Sequence, residues 1–102
     1  NLAQSLHLLN SKGIQDKLAH TDGRASALTK DADRPTESKI KDLSLRAFAR
    51  PPKTEELAVA TGYLDQKLAA VKEDEKRNEA EQQAYEDILW ALINTKEFLF
   101  NH

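Results

Sequence analysis

The chain has no cysteine and no methionine among its 102 residues, and only three glycines and three prolines. The lack of cysteine excludes disulfide bonds, a covalently attached c-type haem and thiol chemistry within this chain, but leaves its redox compartment open. So little glycine and proline is atypical of collagen-like, linker-like or turn-rich all-β chains. We therefore expect an all-α fold and, at this length, a single domain spanning residues 1–102.

An excess of positive charge and a long apolar run are also lacking. Fifteen Lys and Arg stand against 17 Asp and Glu, a formal net charge of −2. The chain therefore lacks the net positive charge that attracts the phosphates of DNA or RNA, and we expect no nucleic-acid partner. The longest apolar run, Ile88 to Ile93, is far shorter than the roughly 20 residues of a membrane-spanning helix, so no membrane span is expected.

Apolar residues recur at helical spacing in the first half of the chain. Leu2 to Leu18 predicts two short helices or one kinked helix, with a cap and a bend between Asn10 and Gly13. A further short helix is predicted over Arg24 to Lys30. Thr36 is expected to cap a helix that ends near Ala49, because prolines 51 and 52 follow.

The second half predicts two longer helices around a charged stretch. Thr54 is expected to cap a helix with a buried stripe made by Leu57, Ala60, Leu64, Leu68 and Val71. Residues 72–83 have no apolar face, which predicts an exposed helical extension of that helix or a linker.

The last long helix, around Tyr85 to Ile93, has a wide apolar arc typical of the central element of a bundle. Trp90 lies on a different face and is expected to cover a neighbouring helix. Asn94 and Glu97 have the spacing of a capping box, which predicts a short C-terminal helix after Asn94. The expected architecture is thus a compact bundle of about four to six helices.

Three blocks, LHLLNSKGI, LSLRAFARPPKTEEL and DILWALINTKEFLFNH, are spaced along nearly the whole chain, from Leu6 to His102. Together they resemble the C-terminal region of large exported planctomycete proteins of unknown function, which often carry a cytochrome-c-like domain. The resemblance implies a periplasmic or cell-surface location and other domains in the parent protein, but no catalytic residues. Ala49 departs from the family pattern, in which glycine or serine is common. The start at Asn1 without methionine likewise predicts a piece of a longer protein, with any export signal upstream.

Residues with catalytic or metal-binding chemistry are scattered. His7 is expected to be a partly buried helical residue, and His20 with Asp22 offers two metal ligands without a third at a recognised spacing. His102 ends the chain. The adjacent carboxylates of Glu55-Glu56, Asp74-Glu75 and Glu86-Asp87 do not face each other on a helix, so solvated faces are favoured over an acid–base pair. We expect no cofactor, metal or catalytic site.

Five residues remain as candidates for interaction with a partner: Arg46, Arg50, Trp90, Phe98 and Phe100. The arginines flank Phe48 near the proline turn, where pairing with Glu56 or Asp42 is favoured over recognition of a partner's carboxylate. The aromatic residues are more often core, but aromatic and arginine side chains also anchor interfaces.

The leading hypothesis is a non-catalytic helical packing or interaction module at the C-terminus of a larger exported protein, with other domains of that parent or a protein partner as its target. The alternative is an accessory domain that completes a catalytic, haem or polysaccharide site formed by upstream domains. A third possibility is an autonomous scaffold for cell-surface complexes. A polar cleft around His20, Asp22 and Arg24 would favour the second hypothesis, and an exposed apolar patch would favour the other two.

Overall fold

The computed structural model describes residues 1–12 and 23–100, with the side chains of residues 12 and 96–100 left out. This part of the chain forms five α-helices and no strand, which confirms the predicted all-α bundle. The helices and one 3₁₀ turn follow in the order α1 (Leu2–Lys12), α2 (Arg24–Lys30), α3 (Thr36–Phe48), α4 (Thr54–Ala69), the 3₁₀ turn (Asp74–Lys76) and α5 (Arg77–Phe100).

Helix α1 begins with a pair of reciprocal hydrogen bonds between Asn1 and Gln4. The Gln4 amide donates to Asn1 Oδ1 at 2.9 Å, and the Asn1 amino group donates to Gln4 Oε1 at 3.0 Å. This is the geometry of a capping box. Asn10 lies inside α1 and does not cap a second helix, so that prediction is wrong. The expected bend at Gly13 and the second half of the segment lie outside the described residues.

The turn between α3 and α4 contains Pro51 and Pro52, as predicted. Phe48 is the last helical residue, and Ala49 adopts a left-handed backbone with φ of 58°. The Ala49 amide still donates to the Leu45 carbonyl at 2.9 Å, which satisfies one of the last helical acceptors. The predicted helix end near Ala49 is therefore confirmed.

The predicted N-caps of α3 and α4 are wrong by one residue. Thr36 and Thr54 are the first helical residues, and no side chain of the preceding Pro35 or Lys53 caps the helix. At α4 the side-chain contact comes from the first turn instead, because the Lys53 amide donates to Glu56 Oε1 at 2.8 Å. This is the half of a capping box in which the third helical residue accepts from the backbone of the N-cap residue.

The charged stretch 72–83 contains a helix break, so the predicted helical extension of α4 is wrong, whereas the alternative of a linker agrees with the break before α5. Helix α4 ends at Ala69, and α5 begins at Arg77 after the 3₁₀ turn. Residues 72–79 are all exposed, and none of them has an apolar side chain. The last apolar residue before them, Val71, is half-buried. Without an apolar face nothing holds a longer α4 against the core, and the chain reverses there.

Helix α5 is the central element, and residues 84–92 are buried on every side. All four other α-helices contact it. The helix runs through Asn94 without interruption, so the predicted capping box and separate C-terminal helix are wrong. The Asn94 side chain instead donates to the Trp90 carbonyl, one turn earlier, at 3.2 Å.

The bundle has a single apolar core. Its radius of gyration of 12.9 Å matches the ~13 Å expected for a compact domain of this length. Within the described residues no helix is long and apolar enough to cross a membrane. The largest fully buried apolar side chains belong mainly to α3, α4 and α5, and they are Ile40, Leu43, Leu64, Tyr85, Ile88, Leu89 and Leu92.

Candidate functional site

Arg50 lies at the turn between α3 and α4 and is held by contacts within the chain. Its guanidinium donates to both carboxylate oxygens of Glu56, at 3.0 and 3.3 Å, and lies over the Phe48 ring, with 4.5 Å from Cζ to the ring centroid. Ser44 on α3 donates to the Arg50 carbonyl at 3.0 Å. The structure thus shows the favoured intramolecular pairing, and a contact of Arg50 with a partner stays a prediction.

The contacts of Glu56 with Arg50 and Lys53 lower the pKa of its carboxyl group. Burial alone would raise the pKa of its carboxyl group, but the Arg50 hydrogen bonds, the Lys53 amide and the two positive charges outweigh burial and hold the pKa below its usual value. The carboxylate is therefore charged at neutral pH and joins α4 to the end of α3. Such a pair stabilises a turn rather than offering a proton for catalysis.

A second polar contact crosses the core between α4 and α5. The Tyr63 hydroxyl lies 2.6 Å from Asp87 Oδ2 and 3.3 Å from Asn10 Oδ1, so three helices meet at one hydroxyl group. Asp87 is only 2% exposed, and Glu86 is buried as well. The prediction that these two acids form a solvated face is wrong, because the core surrounds α5 completely at this level. Burial and the neighbouring Asp87 carboxylate raise the pKa of Tyr63 above its usual range.

Three further ion pairs join α3 to its neighbours. Asp42 Oδ2 lies 3.5 Å from Arg24 of α2 and 3.3 Å from Arg34 in the loop before α3. Lys39, which is 4% exposed, places Nζ 3.8 Å from Glu81 of α5. Each pair links separate elements, which assigns these charges a structural part in holding the bundle together.

The remaining predicted interaction residues fall in different places. Trp90 is buried in the core, in keeping with the more common fate of such a residue. Arg46 is exposed on α3. Phe98 and Phe100 belong to the last turns of α5, and their side chains lie outside the described residues. The structure therefore does not bring the five candidates together into one described surface.

The histidines form no described site. His7 is exposed on α1, which corrects the expected partial burial. His20, Asp22 and His102 lie outside the described residues, so the hypothesis of a polar cleft around His20 is untested. Within the described residues no group of three potential ligands could hold a metal ion.

Two clefts border the start of α1, and neither was foreseen from the sequence. The larger, of about 360 Å³, lies between the start of α1, the start of α4 and α5; its lining includes Leu2, Val59 and Thr95. The smaller, of about 210 Å³, lies between α1 and α5 and includes Leu8 and Asn94. Asn1 lines both clefts, so the beginning of the chain sits at their junction.

Leu8 is an apolar side chain on this surface that does not pack into the core. It is 43% exposed and borders the smaller cleft, whereas the other exposed large apolar residue of the described chain, Leu45, is 50% exposed on α3. The helical spacing of Leu2, Leu6 and Leu9 marks the buried side of α1 and leaves Leu8 off it. That spacing is the sequence signal that could have identified it.

Comparison with known proteins identifies no relative of the chain. No family model matches it, and no curated protein or solved structure matches it either. The resemblance to the planctomycete proteins therefore stays a prediction.

Proposed function

We propose that the chain is a non-catalytic helical module that packs against a preceding domain of a larger exported protein. The observation that carries the proposal is the exposed Leu8 beside a cleft that Asn1 also lines. A single exposed leucine is common on protein surfaces, and what favours an interface here is its position beside a concave surface into which a partner's side chain can pack.

The polar side chains of the described chain support a packing role. The Arg50 and Glu56 pair, the Tyr63 and Asp87 contact, and the Lys39 and Glu81 pair each join residues of this chain's own elements. These groups hold the turn and the helices in register. Catalysis would instead need converging groups at a surface cleft.

The position of Asn1 explains why the partner should be a preceding domain. Any domain attached ahead of Asn1 is tethered at the junction of the two clefts. A short tether gives an effective concentration in the millimolar range, so a modest apolar contact suffices to keep the two parts together. Leu45 lies in neither of the two clefts and has no such tether beside it.

The exported location and the haem-bearing parent rest on the resemblance alone. The gene upstream of residue 1 tests them directly. We expect it to encode further domains, a signal peptide and, in a cytochrome-c-like domain, a CxxCH motif. A gene that encodes no domain ahead of Asn1 would contradict the proposal.

The docking itself is tested by titrating the chain with the separately produced preceding domain in a calorimeter. We compare the unchanged chain with Leu8→Gln and with the matched control Leu45→Gln, which alters the other exposed leucine. Losing an anchor costs more than ~1 kcal/mol, so Leu8→Gln should weaken binding about tenfold. Leu45→Gln should change the Kd by no more than about twofold, as expected for a surface change away from the contact.

The outcomes separate the hypotheses. No heat of binding at micromolar concentrations, or equal weakening by both substitutions, contradicts docking through α1. If mixing the two parts produces an enzymatic activity or a haem spectrum that neither part has alone, the chain completes a site of the parent, and the accessory-domain hypothesis replaces this one.

A further inference from the structure

We draw no further inference here: the strongest candidate, the surface patch at the end of α3 formed by the exposed Leu45 and Arg46 and the partly buried Phe48, is an apolar and basic face, and nothing in the described part of the structure shows what covers it.

Discussion

Two tyrosine side chains pack in the same core, but only one of their hydroxyl groups makes a hydrogen bond of normal geometry within the described residues. Tyr63 donates a short hydrogen bond to the buried Asp87. Tyr85 is fully buried, and its hydroxyl makes no hydrogen bond of normal geometry within the described residues. Burial and the charge of Glu81 raise the pKa of Tyr85 to about 12, so its hydroxyl stays neutral. We therefore expect the Tyr63 hydroxyl to stabilise the fold more than the Tyr85 hydroxyl does.

Removing each hydroxyl should therefore have different effects. Tyr63→Phe takes a donor from a buried carboxylate, and we expect it to lower the free energy of unfolding by about 1.5 to 3 kcal/mol. Tyr85→Phe removes a hydroxyl that makes no hydrogen bond of normal geometry within the described residues, so the substitution should be neutral or stabilising. Urea denaturation of both variants measures the difference. Equal losses would show that Asp87 gains nothing from Tyr63.

The Arg50 and Glu56 pair makes stability depend on pH. Since the folded pKa of Glu56 lies below its usual value of 4.5, the contribution is complete above about pH 4.5 and is lost as the pH falls through the lowered folded value. Glu56→Gln should cost about 1 kcal/mol at pH 7, a modest figure because Arg50 is partly exposed to solvent. The deficit should shrink by pH 3.

Glu55→Gln is the matched control, because Glu55 is the exposed neighbour in the same turn. Its unfolding free energy should follow that of the unchanged protein at both pH values. A deficit for Glu56→Gln that is the same at pH 7 and pH 3 would rule out the ion pair as its source.

Ala49 carries a conformational cost. Its left-handed φ of 58° costs a residue with a Cβ atom about 1 kcal/mol, which glycine does not incur. Ala49→Gly should raise the free energy of unfolding by about that amount, whereas Ala58→Gly, inside α4, should lower it by about 1 kcal/mol. Thermal denaturation of the two variants checks the sign. A destabilised Ala49→Gly would mean that this turn is not strained.

At the scale of helices, periodicity predicted the existence of the described helices better than their ends. The apolar spacing identified α2, α3, α4 and the buried face of α5, because burial of that face is what holds each helix. Ends depend on single hydrogen bonds that several residues can supply. Asn10 and Asn94 both have cap-like spacing, yet both lie within helices, because packing against the core favours continuation over a local cap.

Asn94→Ala distinguishes a helix interior from a cap. Alanine has the higher helix propensity, so inside a continuous α5 the substitution should leave stability unchanged or raise it by up to ~0.5 kcal/mol. Losing a cap would instead cost about 1 kcal/mol, which is the loss we expect for Asn1→Ala at the start of α1. Chemical denaturation of both variants gives the comparison. A loss of about 1 kcal/mol for Asn94→Ala would indicate that a new helix begins there.

At the scale of the whole molecule, the sequence predicted the fold class but not the surfaces. Burial of Glu86 and Asp87 follows from four helices surrounding α5, which the local pattern of two adjacent acids does not indicate. The clefts likewise lie between two or three helices, so the residue pattern of a single helix does not predict them. The turn pairing of Arg50 with Glu56 was predictable because the two residues are only six positions apart in the sequence.

We propose that the chain packs through α1 on the preceding domain while the core around α5 stays unchanged. Amide hydrogen exchange of the chain, alone and with that domain, tests both parts of this proposal. We predict that residues 88–92 exchange slowest in both states, and that binding adds protection on α1 between Leu2 and Leu8. Added protection around Leu45, or none on α1, would contradict the claim.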